Sequence, residues 1–117
     1  MTKKERKLVE DLMKTPKSGW ERVSASVAPY QGMCWNLKKD GYDLLVSYKT
    51  PVALRTPKGE FVRLWGGYTK TTIGHLTSWC MLVRLPCVCG KLWDELVCER
   101  KYTADRLSSF YDRKKAA

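Results

Sequence analysis

The sequence predicts an α+β fold: an N-terminal helix, an antiparallel sheet of four to five strands in the first half, and helices in the second half packed on one face of it. Three observations predict this. Apolar and polar residues alternate through much of residues 20–65, the period of half-buried strands. Asp40-Gly41 joins two of these runs, and this dipeptide is the strongest short hairpin signal. From Ile73 onward the apolar residues recur every three or four positions instead. The strand run and the helix run are consecutive, which argues against parallel βαβ units.

Taken in order, Thr2 and Glu5 form a capping box ahead of Leu8, Val9, Leu12 and Met13 at helical spacing. Pro16 and Gly19 close that helix. Its remaining faces carry Lys3, Lys7, Lys14, Glu10 and Asp11, an ordinary solvated surface. Trp20 to Val27 reads as a strand, and Pro29 and Gly32 mark a turn. Met33, Trp35 and Leu37 alternate up to the Asp40-Gly41 turn, and Tyr42, Leu44, Val46 and Tyr48 form the return strand. Thr50 to Arg55 continues extended, with Pro51 suited to an edge or a strand start because it has no N–H to donate. Thr56-Pro57-Lys58-Gly59 has the residue order of a tight turn.

Phe61, Arg63 and Trp65 then alternate with Val62 and Leu64, so both faces of this strand are apolar enough to need a helix over one of them. Gly66-Gly67 ends it. Thr71 or Thr72 is placed to cap the next helix, which carries Ile73, Leu76, Cys80 and Val83 on one stripe and stops by Pro86. Cys87 to Gly90 reads as an irregular connection. Leu92, Trp93, Leu96 and Val97 fall on one helical face. Thr103 is placed to cap a final helix with Leu107, Phe110 and Tyr111 as its stripe, and Arg113-Lys114-Lys115 lies at its C-terminal end, where cations suit the helix dipole. The five tryptophans fall one per element, a distribution that suits one shared core.

At 117 residues the chain is read as a single domain, 1–117, large enough for a hydrophobic core without metals or disulfides. No apolar run has membrane-spanning length and no secretory signal is visible, so no membrane partner is expected. Five cysteines, an odd number, argue for reduced thiols and a cytoplasmic setting. Cys87-x-Cys89 is the only close pair and fits structural zinc spacing poorly, so no metal and no cofactor is expected. His75 is the only histidine. Cys80 lies five residues further on, off its helical face, and no other acid–base or nucleophile pairing stands out, so the chain is not read as an enzyme. The 22 basic and 12 acidic residues give a formal charge of +10. That charge is spread along the chain, and it points to nucleic acid or a ribonucleoprotein as partner.

Two segments stand out: Tyr48-Lys49-Thr50-Pro51-Val52-Ala53, and Tyr68 through His75. With these motifs the chain resembles, over residues 43–79, a family of small uncharacterised phage and mobile-element proteins. Those proteins have a Tyr-x-Thr-Pro-Val-Ala strand and a Tyr-Ser-x-Thr-Thr-x-x-His helix start. Thr69 replaces the usual serine, and Gly74 stands where a polar residue is more usual. The resemblance carries over no functional residue. It implies a phage-type genome, where small basic proteins often act on nucleic acid or on host defence machinery.

The candidate binding residues are Lys49, Arg55, Lys58, Arg63, Tyr68, Lys70, Thr71 and Thr72. Cations on two paired strands neutralise phosphates, interleaved aromatics such as Tyr48 and Trp65 stack bases, and a helix start with Lys70 beside it holds an anion. The competing reading of the same residues is a solvated cationic face over half-core aromatics, with threonines that only cap. The expected function is binding of nucleic acid or a ribonucleoprotein through this cationic hairpin. The alternative is a phage-encoded, anti-CRISPR-like inhibitor that docks on a host defence nuclease.

Overall fold

Six strands, each antiparallel to its neighbours and lying in chain order, form one sheet in the computed structural model, which describes residues 1–23, 33–88 and 90–116, with side chains as far as 110. The elements are α1 (Lys3–Met13), β1 (Glu21–Arg22), β2 (Cys34–Lys39), β3 (Tyr42–Ser47), β4 (Thr50–Arg55), β5 (Phe61–Arg63), α2 (Lys70–Leu82), α3 (Gly90–Glu95), β6 (Lys101–Tyr102) and α4 (Ala104–Ala116). A single 3₁₀ turn, Lys17–Gly19, links α1 to β1. The fold is α+β as expected, with six strands rather than four or five. The added strand is β6, which comes from the second half and pairs Tyr102 with Phe61 and Lys101 with Val62. Of the strand expected over 20–27, Glu21–Arg22 is paired; residues 24–27, the turn at Pro29 and Gly32, Cys89 and the side chains of Arg113, Lys114 and Lys115 lie outside the described set.

The Asp40-Gly41 turn has φ of 51° and 82° at its two residues, the left-handed pair that a two-residue hairpin needs. In β4 the register jumps from Leu45↔Ala53 to Val46↔Pro51 and leaves Val52 as an extra residue. This bulge bends the strand, and the Val52 carbonyl accepts the N–H groups of both Leu64 and Trp65. Pro51 therefore sits at a strand start, although β4 is an interior strand.

Both faces of the sheet are covered. On one face α1 lays Leu8 and Leu12 over Trp35, Leu37, Leu44, Val46, Leu54 and Val62. On the other, Leu76 and Trp79 of α2, Val83 just after it, Trp93 of α3, and Leu107 and Phe110 of α4 pack with Cys34, Leu45, Ala53 and Phe61. Each such side chain contributes about 1.5–3 kcal/mol when fully buried. The tryptophans are thus divided between two cores rather than sharing one: Trp20 and Trp35 on the α1 side, Trp65, Trp79 and Trp93 on the other.

A buried polar chain fixes α2 against the sheet. Trp79 Nε1 donates to Asn36 Oδ1 (3.0 Å), Asn36 Nδ2 to Asp43 Oδ1 (3.0 Å), and Arg55 to Asp43 Oδ2 (3.1 Å). Among the described residues no buried side-chain nitrogen or oxygen lacks a partner.

The capping box of α1 forms as the sequence predicts. Its Glu5 is buried and reaches further: burial alone would raise its carboxyl, but the Thr2 N–H, the Lys101 ammonium (3.0 Å) and the Tyr42 hydroxyl (2.9 Å) outweigh that and hold it at about 2. Thr69, not Thr71 or Thr72, caps α2. Its extended backbone places Oγ1 to accept from Thr72 N at 3.1 Å, and this frame buries Thr72, His75, Leu76, Trp79 and Cys80 together. Helix α2 ends before Pro86, with Arg84 in the left-handed region (φ 60°) and Leu85 N bonded back to the Cys80 carbonyl. Helix α3 stops at Glu95, so Leu96 is buried while Val97, expected on the same face, is exposed. No helix among the described residues is long and apolar enough to cross a membrane.

Candidate nucleic-acid interface

The strand turns lie at two opposite ends of the sheet. At one end the Asp40-Gly41 turn meets the Thr56–Gly59 turn, where a Cβ on Gly41 would stand 3.1 Å from the Pro57 ring. At the other end the Tyr48-Lys49 turn faces the start of α2. Between them opens a pocket of about 290 Å³ lined by Ser47, Tyr48, Thr50, Trp65, Thr69, Thr71 and Thr72.

The sequence-predicted residues divide between these ends. Lys49, Tyr68 and Lys70 are exposed at the α2 end, where Thr71 and Thr72 line the pocket. Lys58 is exposed at the far end, and Arg55 there is paired with Asp43 at 3.1 Å. Arg63 is not on the surface at all. It is 7% exposed, and its guanidinium donates to the carbonyls of Trp65 (2.8 Å), Trp93 (2.6 Å), Leu96 (3.2 Å) and Gly67 (3.4 Å), with the Trp93 ring 4.1 Å away. The expected two-stranded ribbon with one shared positive face is therefore absent. The reason is alternation: Arg63 shares a strand face with Phe61, on the α2–α4 side, and carbonyls around the α3 terminus satisfy its charge there.

The α2 end keeps a coherent electrostatic character. Neither Lys49 nor Lys70 forms an ion pair among the described residues. Helix α2 has no acidic residue in its first turn, where the backbone N–H groups lack partners further back in the helix. Such an end favours anions.

Two features here were not read from the sequence. Tyr48 and Lys49 form a two-residue hairpin loop with Ser47 opposite Thr50, and Tyr48 holds φ of 56° at the position where glycine is usual. His75 is buried, its Nδ1 2.8 Å from Ser47 Oγ and its ring 5.9 Å from that of Tyr48. In the sequence this region is marked by the Tyr48–Ala53 and Tyr68–His75 motifs.

The wall formed by Trp65 is held rigidly. A Cβ on Gly67 would fall 2.3 Å from the Trp65 ring, so the ring lies against that backbone and no larger residue fits without displacing it. Trp93 Nε1 fixes the Gly67 carbonyl (2.9 Å), and Arg63 holds the carbonyls of residues 65 and 67. Arg63 thus acts at this site through the backbone behind it.

Cys34 and Cys80 are buried and Cys87 and Cys98 exposed; the described residues contain no group of three or more His, Cys, Asp or Glu placed to hold a metal. The chain belongs to the family of unknown function DUF8033, whose match spans residues 18–95. That span runs from β1 through α3 and takes in every residue lining the pocket, while α1, β6 and α4 lie outside it. No curated protein and no solved structure matches the chain.

Proposed function

We propose that the protein is a small basic accessory protein of phage type, acting without catalysis, that binds nucleic acid or a ribonucleoprotein at the α2 end of its sheet. The observation that carries this reading is the meeting of Lys49, Lys70 and an acid-free helix start around one pocket, while the exposed Tyr68 ring lies beside Gly90 at the start of α3. Lysines and first-turn N–H groups neutralise phosphates, and the formal charge of +10 adds long-range attraction. Fluorescence anisotropy with labelled single-stranded and duplex oligonucleotides, at about 50 and about 200 mM salt, tests it. Binding should weaken with salt, and Lys49→Gln and Lys70→Gln should each flatten that dependence while Lys58→Gln, at the far end, leaves it unchanged. Affinity that is absent at low salt, or indifferent to salt, removes the reading.

One observation favours the second reading, docking on a host defence nuclease. Met81 and Leu82 are both exposed at the C-terminal end of α2, an apolar pair suited to a protein surface. A pull-down from host lysate with nuclease treatment separates the two: a stoichiometric partner that survives nuclease supports docking, and loss of every partner supports nucleic-acid binding.

A further inference from the structure

We infer that the pocket between the Tyr48-Lys49 turn and the start of α2 receives a single unpaired base, which makes the protein selective for single strands over duplex; this rests on the polyanion reading above and sharpens it. The lining contains two aromatic residues and five hydroxyl residues and no charged group. Such a lining offers mainly ring faces and methyl groups to a neutral planar heterocycle, with the Ser47 hydroxyl bonded to His75 and the Thr69 hydroxyl to Thr72. The cations stand outside it, on Lys49 and Lys70, where the phosphates of that heterocycle's strand would lie. A volume of about 290 Å³ is at the small end for small-molecule pockets, the size for one heterocycle rather than a base pair. In a duplex the base faces are covered by stacking, and only an unpaired base can offer one to Tyr48 or Trp65.

The geometry is preformed. Trp65 is pinned by Gly67, Trp93 and the carbonyl bonds of Arg63. Tyr48 is held in a backbone conformation that costs a bulky side chain energy, and backbone strain of this kind concentrates at functional sites. The two-residue loop requires a positive φ at this position, and the ring it carries is 43% exposed.

Tyr48→Gly is the decisive variant. Glycine suits the left-handed backbone there, so the fold is kept while the ring is removed. Anisotropy is measured with short oligothymidylate and oligouridylate, an abasic strand with the same phosphates, and a duplex. The wild type should bind the two base-bearing strands roughly ten-fold or more tighter than the abasic strand and the duplex, and Tyr48→Gly should erase that difference. Equal, salt-dependent binding of abasic and base-bearing strands by the wild type overturns the base pocket and leaves the polyanion reading standing. No binding of any strand at low salt overturns both. A base preference that survives intact in Tyr48→Gly, whose thermal melt confirms folding, places the base elsewhere and overturns the inference as well.

Discussion

Replacing Arg63 separates a buried clamp from a surface cation. In Arg63→Ala the carbonyls of Trp65, Trp93 and Leu96 lose a charged donor, while the Gly67 carbonyl keeps the Trp93 indole N–H. Each buried carbonyl left without a donor costs about 1–3 kcal/mol, and the lost contact with the Trp93 face adds up to about 2 kcal/mol. Water entering the vacated space returns part of this, so the net loss is placed at about 4 kcal/mol, a large share of the roughly 5–15 kcal/mol that holds a domain folded. Arg63→Lys keeps the charge but not the planar fork that reaches carbonyls on two sides, and should cost about 2 kcal/mol. Urea unfolding followed by tryptophan fluorescence reads both losses as a lower midpoint at unchanged slope. An Arg63→Ala midpoint within about 1 kcal/mol of wild type, or a loss of nucleic-acid affinity with no loss of stability, would refute the clamp and return Arg63 to the surface.

Glu5 makes stability fall in acid. Its folded carboxyl titrates at about 2 against an ordinary 4.5, so its contribution, roughly 3 kcal/mol, is complete above pH 4.5 and is lost as the pH drops toward 2. Glu5→Gln should flatten that part of the urea-midpoint profile, and superimposable profiles would sink the assignment. Burial pushes the Cys34 and Cys80 thiols up to about 12 from an ordinary 9, so the folded chain holds protons that the unfolded chain releases. Stability should therefore decline from pH 9 upward by about 1.4 kcal/mol per pH unit for each thiol. Peptide mapping after alkylation at neutral pH should find Cys87 and Cys98 labelled in the native protein and Cys34 and Cys80 only in denaturant. Gly67→Ala should cost about 1–3 kcal/mol by driving the Trp65 ring off its seat, visible as a changed near-ultraviolet dichroism; an unchanged spectrum and melt would mean that Trp65 is not held there.

What the sequence reveals and hides follows from how local each determinant is. The Asp40-Gly41 turn, the Thr2–Glu5 box and the Thr103 cap (Arg106 N to Thr103 Oγ1, 3.2 Å) are decided by neighbours within four residues, and all three form. The frame of α2 is less local. Thr69, Thr71 and Thr72 offer the same capping chemistry, and burial of Leu76 and Trp79 against the sheet selects Thr69. The loop at Tyr48-Lys49 contains none of the residues that announce a turn, so the sequence reads as extended straight through it. Arg63 is hidden for the opposite reason. Alternation correctly gives it a strand face, but the carbonyls that make a buried guanidinium tolerable belong to residues up to 33 positions away. Strand β6 is two residues long, too short for any alternation to be read.

The two-sided burial of the sheet also determines where a binding surface can form. In an antiparallel sheet with one solvated face, cations on alternate positions of a hairpin would line up and meet a polyanion broadside. Here α1 covers one face and α2 to α4 the other, so an inward-facing residue of β4 or β5 enters one of the two cores. A cation in these strands is then satisfied internally, like Arg63, or paired at its strand end, like Arg55 with Asp43. The sheet itself leaves free positive charge to its turns, which lie at opposite ends, whereas the exposed Lys3, Lys4 and Lys7 stand on the covering helix α1. Of the two sheet ends, the α2 end combines lysines with no ion pair among the described residues, a helix start and a pocket with two aromatic walls. Net charge therefore says little about how broad a contact can be, and on the proposed reading the binding surface is a sheet end a few residues wide.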